Sequence, residues 1–152
     1  MAWQALVAAD VEAALSGPEL EAYRRKAGDS YGDDDDKLAA IIAQVTDEIR
    51  SHVEDCPENQ LGAAGTLPER LHYHAVAIVR YRLMNRLGLR VSEDRKQEYL
   101  DARRYLERVS ECKVKIELPE SADVVSEANT AGVEVITEQT TQASRTKLGG
   151  LF

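Results

Sequence analysis

A stripe of apolar residues between positions 33 and 56 is the feature that most constrains how this chain of 152 residues can fold. Its members stand three or four positions apart and therefore share one face of an α-helix: Leu38, Ile41, Ile42, Val45, Ile49, Val53 and Cys56. Four aspartates, Asp33 to Asp36, suit the first turn of that helix because of the helix dipole. The pattern predicts a helix over residues 33–56 with one face buried, and it leaves open whether the aspartates bind a cation.

Capping and stop signals predict four further helices. Pro18 suits the first turn of one helix, and Gly88 suits the end of another. Thr66 and Glu69 have the spacing of a capping box, which marks a helix start. The four predicted spans are residues 8–16, 18–26, about 66–87, and 92–112.

The composition indicates what the core is made of. Aromatic residues are only 5% of the chain, so aliphatic side chains must fill the interior. Residues 75–79 are apolar on every side of the fourth helix, and such a helix is surrounded by protein. The predicted fold is all-α: a small bundle of about four to five helices in residues 1–112, followed by an extended C-terminal arm with short β segments in residues 113–152.

The predicted arm differs from the rest of the chain in its pattern. Polar and apolar residues alternate over residues 113–118 and again near residues 132–136, which is typical of short strands. The remainder is polar, so the arm cannot build a core of its own, and fully extended it would reach about 130 Å. Its apolar residues are predicted to dock on another protein chain, with a disordered tail as the alternative. The docking residues are Val133, Val135, Ile136, Leu148, Leu151 and Phe152.

The formal net charge of −8 argues against a protein that coats nucleic acid or an anionic membrane surface. The sequence contains no apolar run of the roughly 20 residues that a bilayer crossing needs, and no secretory signal is expected at its start. Without an export signal, Cys56 and Cys112 are predicted to be reduced and to act as small buried hydrophobes.

No catalytic or metal-binding motif is recognisable in the chain. His72 and His74 lie on opposite sides of a predicted helix and His52 is remote from both, so no metal site and no cofactor are expected. No nucleophile elbow or phosphate-binding glycine loop is present, and the chain is not expected to be an enzyme.

Arginines concentrate in the fourth helix and the turn after it. Residues 67–90 carry five positive charges and one negative charge, a local excess of four in an acidic protein. Two interpretations stay open: the arginines pair with acids of neighbouring helices such as Glu12, Glu48 or Asp101, or they form a surface for a partner protein or for DNA. The candidate interface residues are Arg80, Arg82 and Arg86.

The order of these features resembles the head–tail connector (adaptor, or head-completion) proteins of tailed bacteriophages, including the connector family of Mu-like prophages. The resemblance covers roughly residues 8–118. It rests on the long amphipathic helix, on the apolar helix around residues 75–83, and on the Tyr-x-x-Ala-x-x-x-Leu pattern formed by Tyr99, Ala102 and Leu106.

The resemblance implies a ring of identical subunits, usually twelvefold, beneath the portal at the capsid vertex in the neck of the virion. The six docking residues of the arm would then bind the portal protein, and the other face of the ring would receive a stopper or tail-terminator protein. The candidate arginines would lie at subunit contacts or along the channel through which DNA passes. No cofactor, catalytic residue or membrane is implied.

Two other classes compete with this interpretation. A small helical protein- or DNA-binding regulator would need an exposed basic recognition helix, whereas residues 75–79 are too apolar to lie in a DNA groove. A helical-bundle enzyme with a carboxylate metal site would need paired Glu-x-x-His motifs, and Glu69 with His72 stands alone.

Overall fold

The computed structural model describes residues 2–29 and 33–119. Five helices and a two-stranded sheet follow one another along this part of the chain, which confirms the predicted helical bundle with short β segments. In chain order the elements are β1 (Trp3–Ala5), α1 (Ala8–Ala14), α2 (Gly17–Asp29), α3 (Asp33–Glu54), β2 (Thr66–Pro68), α4 (Glu69–Arg86) and α5 (Glu93–Ser110).

Helix α4 occupies the centre of the bundle, where it packs against α1, α3 and α5. Its buried side chains point in several directions, as the apolar stretch over residues 75–79 predicts. The stripe of α3 is confirmed as well, since Val45, Ile49 and Val53 are fully buried. Helix α5 adds Leu106 and Val109, so the core consists almost entirely of aliphatic side chains.

The start of α4 differs from the prediction. Residues 66–68 form β2, which pairs antiparallel with β1 in a register that places Trp3 opposite Pro68. Helix α4 therefore begins at Glu69 with Pro68 as its N-cap and without a side-chain cap, so the predicted capping box does not form. The Thr66 hydroxyl instead donates to the carbonyl oxygen of Ala63 at 2.6 Å. These residues form a strand because they pair with β1, which is distant in the sequence. The local spacing of residues gives no signal of that pairing.

The predicted strand at residues 113–118 was also wrong, because the structure assigns no β-strand to them. No strand of the described residues pairs with this segment, and the side chains of Trp3 and Arg70 bind its carbonyl groups instead. We call residues 113–119 the C-terminal root. The predicted strand near residues 132–136 lies outside the described residues.

The prediction of two reduced cysteines was wrong as well. Cys56 and Cys112 form a disulfide, with their Cα atoms 5.3 Å apart. Each cysteine lies just beyond the end of a helix, and α3 and α5 pack side by side so that their ends meet. The proximity is a tertiary contact across 56 positions of sequence, which neither local pattern contains.

Candidate interaction surfaces and the C-terminal root

Arg80 lies inside the bundle. The residue is 7% exposed, and its Nη1 donates to the carbonyl oxygen of Ala14 at 2.8 Å. Its Nη2 forms an ion pair with Glu98. Arg80 thereby joins the end of α1 to α5 through α4, and its guanidinium is engaged within one chain.

Arg82 belongs to a second intrachain network. Its guanidinium pairs with Glu48 of α3, and the same carboxylate pairs with Arg103 of α5. All three side chains are only partly exposed, so the network connects three helices near the surface of the bundle. Of the three acids predicted as intrachain partners, only Glu48 pairs with a candidate arginine in the described residues, whereas Arg80 pairs with Glu98, which was not predicted.

Arg86 occupies a different environment in the last turn of α4. Its side chain is exposed and makes no ion pair or hydrogen bond with another residue of the described ranges. Of the three candidate arginines, Arg86 is therefore the one whose charge is available to a partner, and its role at a subunit or DNA contact stays a prediction.

The Arg80–Glu98 pair extends through Arg95 into an ionic cluster that fastens α2 to α5. Arg95 lies between Glu19 and Glu98, at 3.1 Å and 3.2 Å respectively. Burial by itself would raise the pKa of Glu19, but hydrogen bonds from the Ser16 backbone amide and from Arg95 outweigh it and hold that pKa below its ordinary value. The carboxylate is thus ionised at neutral pH, and the cluster is a structural element rather than a reactive one.

Trp3 is the residue on which distant parts of the chain converge. Its indole Nε1 donates to the carbonyl oxygen of Glu117 at 3.0 Å, and the Arg50 guanidinium lies 5.9 Å from its ring centroid. Arg50 also donates to the carbonyl oxygens of Gly62, Ala63 and Thr66, which holds the loop before β2 in place. Trp3 and its neighbours therefore attach the C-terminal root to the bundle.

The C-terminal root is fastened at further points. Arg70 donates to the carbonyl oxygen of Lys115 at 3.1 Å, Ile116 is 9% exposed within the core, and Val114 packs against that core. These contacts make the root part of the helical domain. The segment that follows, residues 120–152, contains all six predicted docking residues and lies outside the described residues.

Sequence reasoning missed the Trp3 site entirely. The available signal was a single tryptophan in a chain poor in aromatics, followed much later by a loop that contains Gly62 and Gly65. Neither observation predicts that Glu117 is the partner of Trp3, because Trp3 and Glu117 are 114 positions apart in the sequence.

Gly62 provides a test of the Trp3 site. A Cβ atom added there would lie 2.7 Å from the Trp3 ring, so Gly62→Ala must displace the indole. We expect a loss of about 1–3 kcal/mol in the free energy of unfolding and a more accessible tryptophan by fluorescence quenching. Gly17→Ala is the control for tryptophan packing, since apart from its chain neighbours and its own helix nothing lies within 4 Å of its added Cβ, and it should leave fluorescence quenching unchanged. Equal behaviour of the two variants would contradict the tight packing of Trp3.

Two pairs of stacked aromatic rings line the contact between α4 and α5. His74 stacks on Tyr105 with ring centroids 4.1 Å apart, and Tyr81 stacks on Tyr99 at 4.2 Å. Desolvation by burial lowers the pKa of His74, so its imidazole is neutral at neutral pH. Tyr73 meets the edge of His74 and is 67% exposed, which makes it the most exposed large apolar side chain of the described residues.

The histidines do not assemble a metal site. His72 Nε2 lies 3.1 Å from the carbonyl oxygen of Gln4, whereas His74 belongs to the aromatic stack. Within residues 2–29 and 33–119, no three side chains of the metal-binding types come together. None of the helices in these ranges combines the length and the hydropathy that a bilayer crossing requires.

An open groove of about 410 Å³ runs between the start of α1 and one face of α3. Small and aliphatic side chains line most of it, including Ala39, Ile42 and Ala43, and Val7 at its edge is 50% exposed. The groove offers an apolar surface along the middle of α3.

Comparison with known proteins places the chain among phage proteins. The model of the family described as Bacteriophage Mu, Gp36 matches residues 7–135, a range that includes all five described helices and the C-terminal root. No curated protein and no solved structure matches the chain. The predicted relationship to Mu-like phage proteins is confirmed at the level of the family. This chain therefore belongs to the Bacteriophage Mu Gp36 family and is a phage-related protein.

Proposed function

We propose that this protein is a structural component of the virion neck. Identical subunits form a ring beneath the portal at the capsid vertex, join head to tail, and surround the path along which DNA leaves. The membership in a phage Mu family and the order of the five helices support this role. In this proposal the chain works by binding other proteins, and it uses no cofactor and catalyses no reaction.

The attachment of the C-terminal root is the observation that carries the proposal. Hydrogen bonds from Trp3 and Arg70 hold the root on the bundle up to the half-exposed Leu118. Residues 120–152 therefore begin at a defined point of the domain. A tether that starts from a fixed point raises the effective concentration of its docking residues at a neighbouring partner. We propose that this partner is the portal protein.

We propose the remaining partners from the resemblance to connector proteins. The subunits bind one another in the ring, which we expect to be twelvefold, and a stopper or tail-terminator protein binds the face away from the portal. Arg86 and the exposed Arg90 supply positive charge at the end of α4, within a chain whose net charge is −8. Such a balance suits a channel along which DNA slides without being held.

Truncation after Pro119 tests the role of residues 120–152. A chain of residues 1–119 keeps the disulfide, the Trp3 site and Ile116, so its thermal unfolding should stay within a few degrees of that of the full chain. We expect the full chain to add ring-shaped density below the portal of the same phage in electron micrographs. The truncated chain should lose that density.

The position of the cut decides whether this experiment is informative. A cut before Lys113 would also remove Ile116 from the core and both hydrogen bonds to the root, so lost binding could reflect damaged folding. Undiminished portal binding by residues 1–119 would refute the docking role of the segment. If the full chain ignores the portal at high concentration but binds duplex DNA or another protein, the small helical regulator becomes the better explanation.

A further inference from the structure

The disulfide occupies the junction between the helical domain and the C-terminal root. Cys56 follows α3 and is 1% exposed, whereas Cys112 follows α5 and is partly exposed. Cys112 is also the residue directly before the root. The bond therefore attaches the residue directly before the root covalently to the turn that follows α3.

The backbone at Cys112 has an unusual conformation for a residue with a side chain. Its φ angle is 58°, which lies in the left-handed region where glycine normally closes a helix. The amide of Lys113 donates to the carbonyl oxygen of Arg108 at 2.9 Å, and that of Cys112 donates to Val109 at 3.1 Å. This turn directs the chain from α5 into the root, and a cysteine takes the position of the usual glycine.

The fold alone brings the two sulfur atoms together. Val53 precedes Cys56 by three residues, Val109 precedes Cys112 by three, and both valines are fully buried where α3 packs against α5. The reduced protein can therefore fold with both thiols already adjacent. On the proposed function the chain is made in a bacterial cytoplasm, where thiols are kept reduced, so the bond would form only under later oxidising conditions.

We propose that Cys56 and Cys112 form a thiol–disulfide exchange site whose substrate is a low-molecular-weight disulfide. The more exposed Cys112 thiolate attacks that disulfide, forms a mixed disulfide and releases one small thiol. The Cys56 thiolate then attacks the Cys112 sulfur and expels the second small thiol. The two cysteines lose two protons and two electrons, and the small disulfide is reduced to two thiols.

In the disulfide-bonded state the root is restrained at both of its ends. The disulfide holds the residue before Lys113, and the indole of Trp3 holds Glu117 through its carbonyl oxygen. In the reduced state the near end keeps the packing of Val114 and the hydrogen bond from Arg70 to Lys115, but its turn is left-handed, which is uncommon for a residue with a Cβ atom. Oxidation therefore adds a covalent restraint at the residue where the backbone is least favourable. The inference rests on described residues only and is independent of the proposed portal contact.

The test uses the full chain in its reduced form and after treatment with glutathione disulfide. Alkylation in denaturant, which exposes the buried Cys56, followed by mass spectrometry should find both of the two cysteines modified in the first state and neither in the second. Hydrogen exchange at the Lys113 amide, which donates to the carbonyl oxygen of Arg108, should be on the order of tenfold faster in the reduced form, with α4 unchanged. Quenching of the single tryptophan should be stronger in the reduced form, because Trp3 bonds to the root.

Two variants distinguish the effect of the disulfide on hydrogen exchange in the root from the effect of the left-handed turn at Cys112. Cys56→Ala should show the fast exchange of the reduced form under both conditions. Cys112→Gly also lacks the bond but relaxes the backbone, so its root should exchange more slowly than that of Cys56→Ala. Failure of the folded chain to form the bond would overturn the proposal, as would equal exchange in the two redox states. So would a reduced chain that loses its helical circular dichroism altogether, because the bond would then be a general requirement for folding.

Discussion

Removing the disulfide by Cys56→Ala should lower the free energy of unfolding by about 4 kcal/mol under oxidising conditions. The bond joins residues separated by 56 positions, and a closed loop of that length restricts the unfolded chain strongly. Chemical denaturation with urea, followed by circular dichroism at α-helical wavelengths, measures the change.

The redox state provides the control for this prediction. Under reducing conditions the unmodified chain also lacks the bond, so the difference between the two proteins should shrink to the effect of one buried sulfur atom, about 1 kcal/mol. Equal stability of both proteins under oxidising conditions would show that the disulfide contributes nothing to the folded state.

Arg80→Ala should destabilise the protein by about 3 kcal/mol, because it removes one partner of a mostly buried ion pair. The substitution leaves the carbonyl oxygen of Ala14 without its donor and Glu98 without one of its two arginines. Since the Glu98 side chain is 32% exposed, water can partly replace the lost contact, which keeps the effect below the upper range for buried pairs. Thermal and urea unfolding measure it directly.

Arg86→Ala is the matched control in the same helix. The Arg86 side chain is exposed and has no partner within the described ranges, so its removal should change stability by less than about 0.5 kcal/mol. The opposite result for Arg80, unchanged stability together with lost ring assembly, would make it an interface residue. A loss of assembly in stable Arg86→Ala would support the proposed contact at the end of α4.

The contacts of the individual arginines show that residues 67–90 do not form one continuous basic surface. Counting charges along the sequence suggests a continuous basic surface. In the structure Arg70 binds the C-terminal root, while Arg80 and Arg82 are neutralised by carboxylates of other helices. Contacts with DNA or with an acidic partner are therefore expected from Arg86 and Arg90, at the end of α4.

The sequence alone determined the helices and the general fold. Periodic apolar residues predicted α3 and its buried face, and the apolar stretch at residues 75–79 predicted a central helix. Helix ends were predicted to within about three residues, although the residues predicted to cap α4 form β2 instead. All of these features depend on residues within one or two helical turns of each other, and that is the range over which periodicity and capping operate.

Only the tertiary structure decided which distant residues meet. The residues predicted to cap α4 pair with β1 as strand β2 instead. The packing of α3 against α5 places Cys56 and Cys112 close enough to form a disulfide. The contact between Trp3 and Glu117 depends on how every intervening element is placed, because the two residues lie near opposite ends of the described chain. Local patterns carry no information about such contacts, since the free energy that selects them arises from the packing of the whole domain.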